Sequence, residues 1–171
     1  ILAILNFICK VYLTVIRGTP VVVQILIIYF IVFQSSNAQI PIAALAFGIN
    51  SGAYVAEIFR SGIMSIDIGQ NEAGRSLGFN YAQTMIYIIV PQAFKNVIPT
   101  LGNEFIVLLK ETAVCGYIGL MDLTRAGDSV RAATYNPYFP LIFIAVIYLV
   151  MVMFFTWLLG KLERRLRNAE R

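Results

Sequence analysis

The sequence predicts an all-α integral membrane helical bundle. Of its 171 residues, 59% are hydrophobic and 13% charged, and the mean hydropathy is +0.78. An ordinary globular domain is roughly 45–50% apolar and about 25% charged. Too few polar side chains remain to cover the surface of a water-soluble globule. The apolar residues also fall in runs approaching the ~20 needed to cross hydrocarbon, with polar loops between them. Finally, Lys161, Arg164, Arg165, Arg167 and Arg171 crowd behind the last apolar run. Such a cluster reads as a cytoplasmic flank rather than as a nucleic-acid-binding tail, although the net charge is +4. The length fits one unit, residues 1–171, as a single transmembrane domain.

The elements follow in order. Ile1–Ile16 is apolar but interrupted by Asn6 and Lys10, and reads as an interfacial helix or the tail of an earlier span. Arg17-Gly18-Thr19-Pro20 is a helix-start signal. It opens a short span, Pro20–Phe33, in which Gln24 is the one strongly polar side chain. A polar loop at Gln34–Asn37 leads to Ile40–Phe59. This span is rich in small residues (Ala43, Ala46, Gly48, Ser51, Gly52, Ala53), which let helices approach closely in lipid and place it centrally in the bundle. Arg60–Phe79 carries Arg60, Asp67, Glu72 and Arg75 and is too polar to cross. Within it a short helix is expected, with Glu72 near its first turn and Gly78 as its stop. Thr84–Leu109 re-enters the apolar phase through Pro91, interrupted by Lys95, Pro99 and Glu104. Ala113–Thr134 is amphipathic and polar. Tyr138–Leu159 is an uncharged span, with Tyr138 and Trp157 placed as interfacial anchors. Counting back from the basic tail puts Arg60–Phe79 inside and Ala113–Thr134 outside.

Several chemistries are excluded. There is no histidine, which removes the commonest general base and most zinc sites. Cys9 and Cys115 are the two cysteines; they lack metal spacing and read as isolated core thiols. No metal site is expected. No phosphate-binding GxxxxGK[ST] loop occurs, so nucleotide chemistry is not expected in this chain.

Four ordered motifs sharpen the picture. Glu72-Ala73, with Gly78 six residues after the Glu and then Ile88-x-x-Pro91-x-Ala93, resembles the EAA loop of ABC importer permeases. Arg17-Gly18-Thr19-Pro20 with Gln24, Ala53-Tyr54-Val55-Ala56-Glu57-Ile58-Phe59-Arg60, and Asn103-Glu104-Phe105-Ile106 with Leu108–Thr112 are similar to segments of the polar amino acid (histidine, arginine, glutamine) permeases. The resemblance covers the chain from about Tyr12. Departures are Gly74 at the third EAA position, Val90 before Pro91, and Glu111 where Asp is common. The family pattern of five spans implies a first span before residue 1, leaving about four here.

The resemblance implies a transport subunit rather than an enzyme, in a bacterial inner membrane with its C-terminus cytoplasmic. It implies a type I importer permease working with a second permease subunit, a cytoplasmic ATPase dimer that holds ATP and magnesium, and an extracytoplasmic amino-acid-binding protein. Membrane lipid surrounds it, and nucleic acid is not a partner. The loop 69–79 would dock on the ATPase through Gln70, Glu72, Ala73, Gly74, Leu77 and Gly78.

For the substrate, Glu104 and Glu111 lie seven apart and project from the same helix face. Carboxylates at membrane depth face a cavity or a partner, so they either receive a cationic group or pair with a charge such as Lys110. Gln24, Asn50, Ser51 and Asn103 either bind the backbone groups of an amino acid or bond between helices. Glu57 and Arg60 are spaced for an intrahelical pair. The competing expectation is an ATP-independent channel or ion-coupled carrier using Glu104 and Glu111.

Overall fold

The computed structural model describes residues 2–168, and Arg171 of the basic cluster lies outside the described residues. The chain forms α1 (Leu2–Gly18), α2 (Val21–Ile27, continued by a π-turn at Ile28–Val32), α3 (Gln39–Met64), α4 (Ile68–Ser76) and α5 (Tyr81–Thr84). A second π-turn, Met85–Ile89, joins α5 to α6 (Val90–Glu111). A 3₁₀ segment, Thr112–Ile118, leads to α7 (Leu123–Thr134) and α8 (Tyr138–Asn168). Among the described residues there is no strand.

Among the described residues, two helices are long and apolar enough by themselves to cross a bilayer, α3 and the Tyr138–Arg165 part of α8, and α1 with α2 and its π-turn passes the same test as a bent pair. The other two expected spans, Pro20–Phe33 and Thr84–Leu109, are less regular, in keeping with the short length and the interruptions read from their sequence. The helix of the Pro20–Phe33 segment covers about 18 Å at 1.5 Å per residue, short of the ~30 Å hydrocarbon core. It meets α1 at a bend of 109°. Pro20 causes that break, since its extended backbone (ψ 138°) flanks the start of α2 and it has no N–H to continue α1. The α6 helix is long enough, but Lys95, Glu104, Lys110 and Glu111 make it too charged to count as an apolar span.

The small residues of α3 do place it at the centre. It packs against α1, α2 and α6, with Ala43, Ala46, Ala53 and Gly62 buried. Ile25 from α2 joins Ala43, Ala46 and Phe47 from α3 and Cys115 and Ile118 from the 3₁₀ segment in one core. Between helices in lipid such a core is held by close van der Waals packing rather than by exclusion of water. Gln39 Nε2 donates to the Ile118 carbonyl at 3.2 Å, fixing the start of α3 at the end where α6 finishes. Cys115 is a core thiol as expected, whereas Cys9 is exposed, because α1 buries no side chain.

The amphipathic segment is two pieces. Gly119, at φ +91°, ends the 3₁₀ turn in the left-handed region that glycine tolerates. Asp122 then caps α7 by accepting from the Arg125 N–H at 3.0 Å. The α8 helix leans on two glycines: Gly102 of α6 abuts Leu159, and Gly127 of α7 abuts Ile144. Phe105 and Phe155 meet edge-on at 5.3 Å. These pairings run α8 antiparallel to α6, so its basic end points the same way as the start of α6.

Candidate functional site

Three polar constellations surround α3. The first joins it to α6. Ser51 Oγ donates to Glu104 Oε1 at 3.3 Å, and Glu104 is half-buried. Glu111 stands two turns further on the same helix, also half-buried. Asn103 is exposed beside Glu104. The structure therefore brings Ser51 and Glu104 together and keeps Glu111 in line with them.

The second constellation holds the corner between α1 and α2. Asn50 Nδ2 donates to Gln24 Oε1 at 2.8 Å, and both residues are buried. Gln24 Nε2 in turn reaches the Ile16 carbonyl at 2.7 Å and the Thr19 hydroxyl at 2.7 Å. Gln24 and Asn50 thus serve each other and the corner backbone, apart from the Ser51–Glu104 pair. Tyr12 adds a hydroxyl bond to the Ile49 carbonyl at 2.6 Å. Sequence reasoning missed a further part of this corner. Glu57 pairs with Arg60, as its spacing predicts, but also with Arg17 at 3.5 Å. The Arg17 guanidinium sits 5.7 Å from the Tyr54 ring centroid, within cation–π range. The available signal was that Arg17 and Glu57 both lie inside ordered motifs.

The third constellation is α4 with its flanks. Asp67 is the N-cap, its Oδ1 accepting from the Gly69 N–H at 2.6 Å. Glu72 stands in the second turn, not the first as expected from sequence, because the helix starts at Ile68. The stop is as expected. Gly78 has φ +83°, its N–H donates to the Arg75 carbonyl at 2.9 Å, and the Phe79 N–H donates to that of Gly74 at 3.1 Å. This is a Schellman closure. Asn80 and Gln83 then form a reciprocal capping box that starts α5. Gln92 Nε2 on α6 donates to Gln70 Oε1 at 3.1 Å, tying α4 to α6 directly.

Gly74 explains its own departure from the EAA pattern. It is buried, and a Cβ there would lie 2.7 Å from Thr84 Cγ2 and 2.8 Å from Thr84 Oγ1, closer than carbon atoms tolerate. The opposite side of α4 is open. Glu72 and Ala73 are exposed, and Ile68 and Leu77 are 76% and 72% exposed. Large apolar side chains standing out from a polar helix mark a contact surface. Among the described residues no group of three or more His, Cys, Asp or Glu is arranged to hold a metal ion.

Residues 2–168 match the family described as binding-protein-dependent transport system inner membrane component. The chain belongs to this family. The permease is 44% identical over 162 residues to the arginine transport system permease protein ArtQ of Bacillus subtilis (strain 168), a match covering 93% of this chain and 74% of that one. It is 38% identical over 168 residues to the glutamine transport system permease protein GlnP of Escherichia coli (strain K12), covering 96% and 77%. Among solved structures, it resembles an amino acid ABC transporter crystallised with histidines at TM-score 0.85 and 50% identity, covering 91% of this chain and 74% of that one. A methionine ABC transporter in inward-facing conformations shares the fold at TM-score 0.78 and 17% identity, covering 96% and 76%. The permease is thus a membrane subunit of an amino acid ABC importer, and the ATPase is a separate subunit.

Proposed function

We propose that the permease forms part of the pathway for a polar, cationic amino acid, with Ser51 and Glu104 as its recognition point. One observation carries this reading. Among the described residues, the half-buried Glu104 carboxylate on α6 accepts from the Ser51 hydroxyl at 3.3 Å and stands in no ion pair with a cation. A carboxylate at membrane depth calls for a charged partner or a cavity, and an ammonium or guanidinium group supplies the charge. Glu111, in line two turns away, extends the acceptor row. Gln24, Asn50 and Asn103 contribute to the surroundings of the pathway rather than to this point. The similarity to an arginine permease supports a basic substrate, and the glutamine relative supports a site adaptable to polar ones.

The reading extends to coupling and orientation. The helix α4 docks on a cytoplasmic ATPase through Ile68, Glu72, Ala73 and Leu77, while Gln70, Gly74 and Gly78 hold it in place. The same end of the bundle carries Lys161, Arg164 and Arg165, which the positive-inside rule assigns to the cytoplasm. ATP and magnesium belong to the ATPase. A second permease subunit completes the pathway, and an extracytoplasmic binding protein delivers the amino acid at the α7 end.

Uptake by the full-length permease, reconstituted with its ATPase and binding protein, tests this. Glu104→Gln should reduce arginine uptake at least about tenfold while the complex still assembles and hydrolyses ATP. Unchanged arginine, lysine and histidine uptake would remove Glu104 from the pathway.

A further inference from the structure

The side of α8 that meets α6 carries a groove that no role above uses. It encloses about 470 Å³ between Phe105 of α6 and Phe155, Leu158 and Leu162 of α8, and the contact of Gly102 with Leu159 closes its floor. Phe105, Leu158 and Leu162 are 51%, 49% and 43% exposed, so large apolar side chains line an open trough. From Phe155 to Arg165 it runs about 15 Å along α8 at 1.5 Å per residue. Its far end changes chemistry. Lys161 and Arg165 line it there, one turn apart on the same helix face. Both are exposed, and among the described residues neither stands in an ion pair. Glu163 is two residues from each and so projects from another side of the helix. The Lys161 ammonium lies 3.7 Å over the Trp157 ring, a cation–π contact that holds it at the rim of the groove.

We propose that this groove holds an anionic phospholipid, with an acyl chain along Phe105, Phe155, Leu158 and Leu162 and the phosphate between Lys161 and Arg165. The depth fits. Tyr138 and Leu159 are separated by about 32 Å of helix at 1.5 Å per residue, slightly more than the ~30 Å hydrocarbon core. The apolar trough therefore lies in hydrocarbon, and the two cations emerge among the headgroups. Basic pockets between membrane helices at that level suit lipid phosphates. The pair also chooses among lipids. A glycerol headgroup leaves the phosphate charge uncancelled for the two cations. An ethanolamine or choline headgroup brings a cation of its own against them. An apolar membrane segment of another polypeptide would fill the trough but leave Lys161 and Arg165 unanswered, so charge complementarity favours the lipid. Seated there, the lipid becomes part of the α6–α8 seam, whose Phe105 is the chain neighbour of Glu104. The proposal does not depend on which amino acid is carried.

Native mass spectrometry of the full-length permease with its ATPase, released from detergent, tests the site. Dioleoyl phosphatidylglycerol and dioleoyl phosphatidylcholine are titrated separately. The parent should bind phosphatidylglycerol at least about fivefold more tightly, the effect of a basic residue on an anionic lipid. Arg165→Gln should remove most of that preference. Arg164→Gln deletes the same charge one residue away, where the side chain lies outside this groove, and should keep it. Leu158→Trp fills the trough without changing charge and should weaken binding of both lipids. Equal affinities in the parent would overturn the proposal. Equal losses in Arg164→Gln and Arg165→Gln would overturn it too, since they mean diffuse surface charge rather than a site. Undiminished binding by Leu158→Trp would show the groove covered by a protein segment or a second subunit. Leu158 and Arg165 are both exposed, and co-purification of the ATPase with each variant shows that it has folded. The charge and the trough are thus tested by independent variants.

Discussion

Asn50 and Gln24 share a hydrogen bond of 2.8 Å between two buried amides, one on α3 and one on α2. Gln24 also holds the Ile16 carbonyl and the Thr19 hydroxyl, so a single side chain fixes the corner where α1 turns into α2. Truncating either amide strands a buried partner, which costs about 1–3 kcal/mol. Gln24→Leu and Asn50→Leu should each lower the melting temperature of the purified permease, and the double variant should lose less than the sum. Additive losses would mean that the two amides do not act as a unit.

Gly74 should resist enlargement. Gly74→Ala sets a methyl against Thr84 and should cost about 1–3 kcal/mol, the usual range for overpacking. Thr84→Ala removes both close atoms and should recover most of that loss in the double variant. Thermal unfolding of the four proteins measures the cycle. If Thr84→Ala gives no recovery, the α4–α5 contact is looser than described.

The exposed apolar residues of α4 should matter for association and little for folding. Leu77→Asp and Ile68→Asp should weaken ATPase binding at least about tenfold, as losses of interface anchors do. Glu72→Arg reverses charge on the same surface and should uncouple hydrolysis from transport. Co-purification and substrate-stimulated ATPase activity report both. Melting temperatures should stay near that of the parent, because none of these side chains is buried.

The two thiols should differ sharply. Burial pushes the Cys115 thiol up, and the Asp122 carboxylate adds to the rise. A raised thiol is protonated at neutral pH, and the thiolate is the reactive form. Cys9 is exposed. Maleimide should therefore leave Cys115 unlabelled in the folded permease, with Cys115 reacting only after denaturation or at markedly higher pH. Equal labelling of both at neutral pH would place Cys115 outside the core.

The parts of this permease legible in sequence are those set by local chemistry. Gly78 announced the end of α4, the alanines and glycines of α3 announced its central place, and the apolar run from Tyr138 announced α8. The parts that stayed hidden depend on contacts across the chain. The Arg17–Glu57 pair joins residues forty apart on separate helices, and no spacing rule reaches that far. The short reach of α2 depends on the 109° turn at Pro20, whereas apolar composition reads straight through it. At the candidate site, the i, i+7 relation of Glu104 and Glu111 could be read directly. The meeting of Glu104 with Ser51 needed the α3–α6 register, which only the fold supplies.

The Schellman closure at Gly78 and the capping box at Asn80 leave Phe79 alone between two locked helix ends. The Gln70–Gln92 bond ties the inner side of α4 to α6. Together these make a small truss with three fixed sides. A truss does not absorb a push by bending. A force applied at α4 has a direct path through these contacts into α6, the helix that carries Glu104.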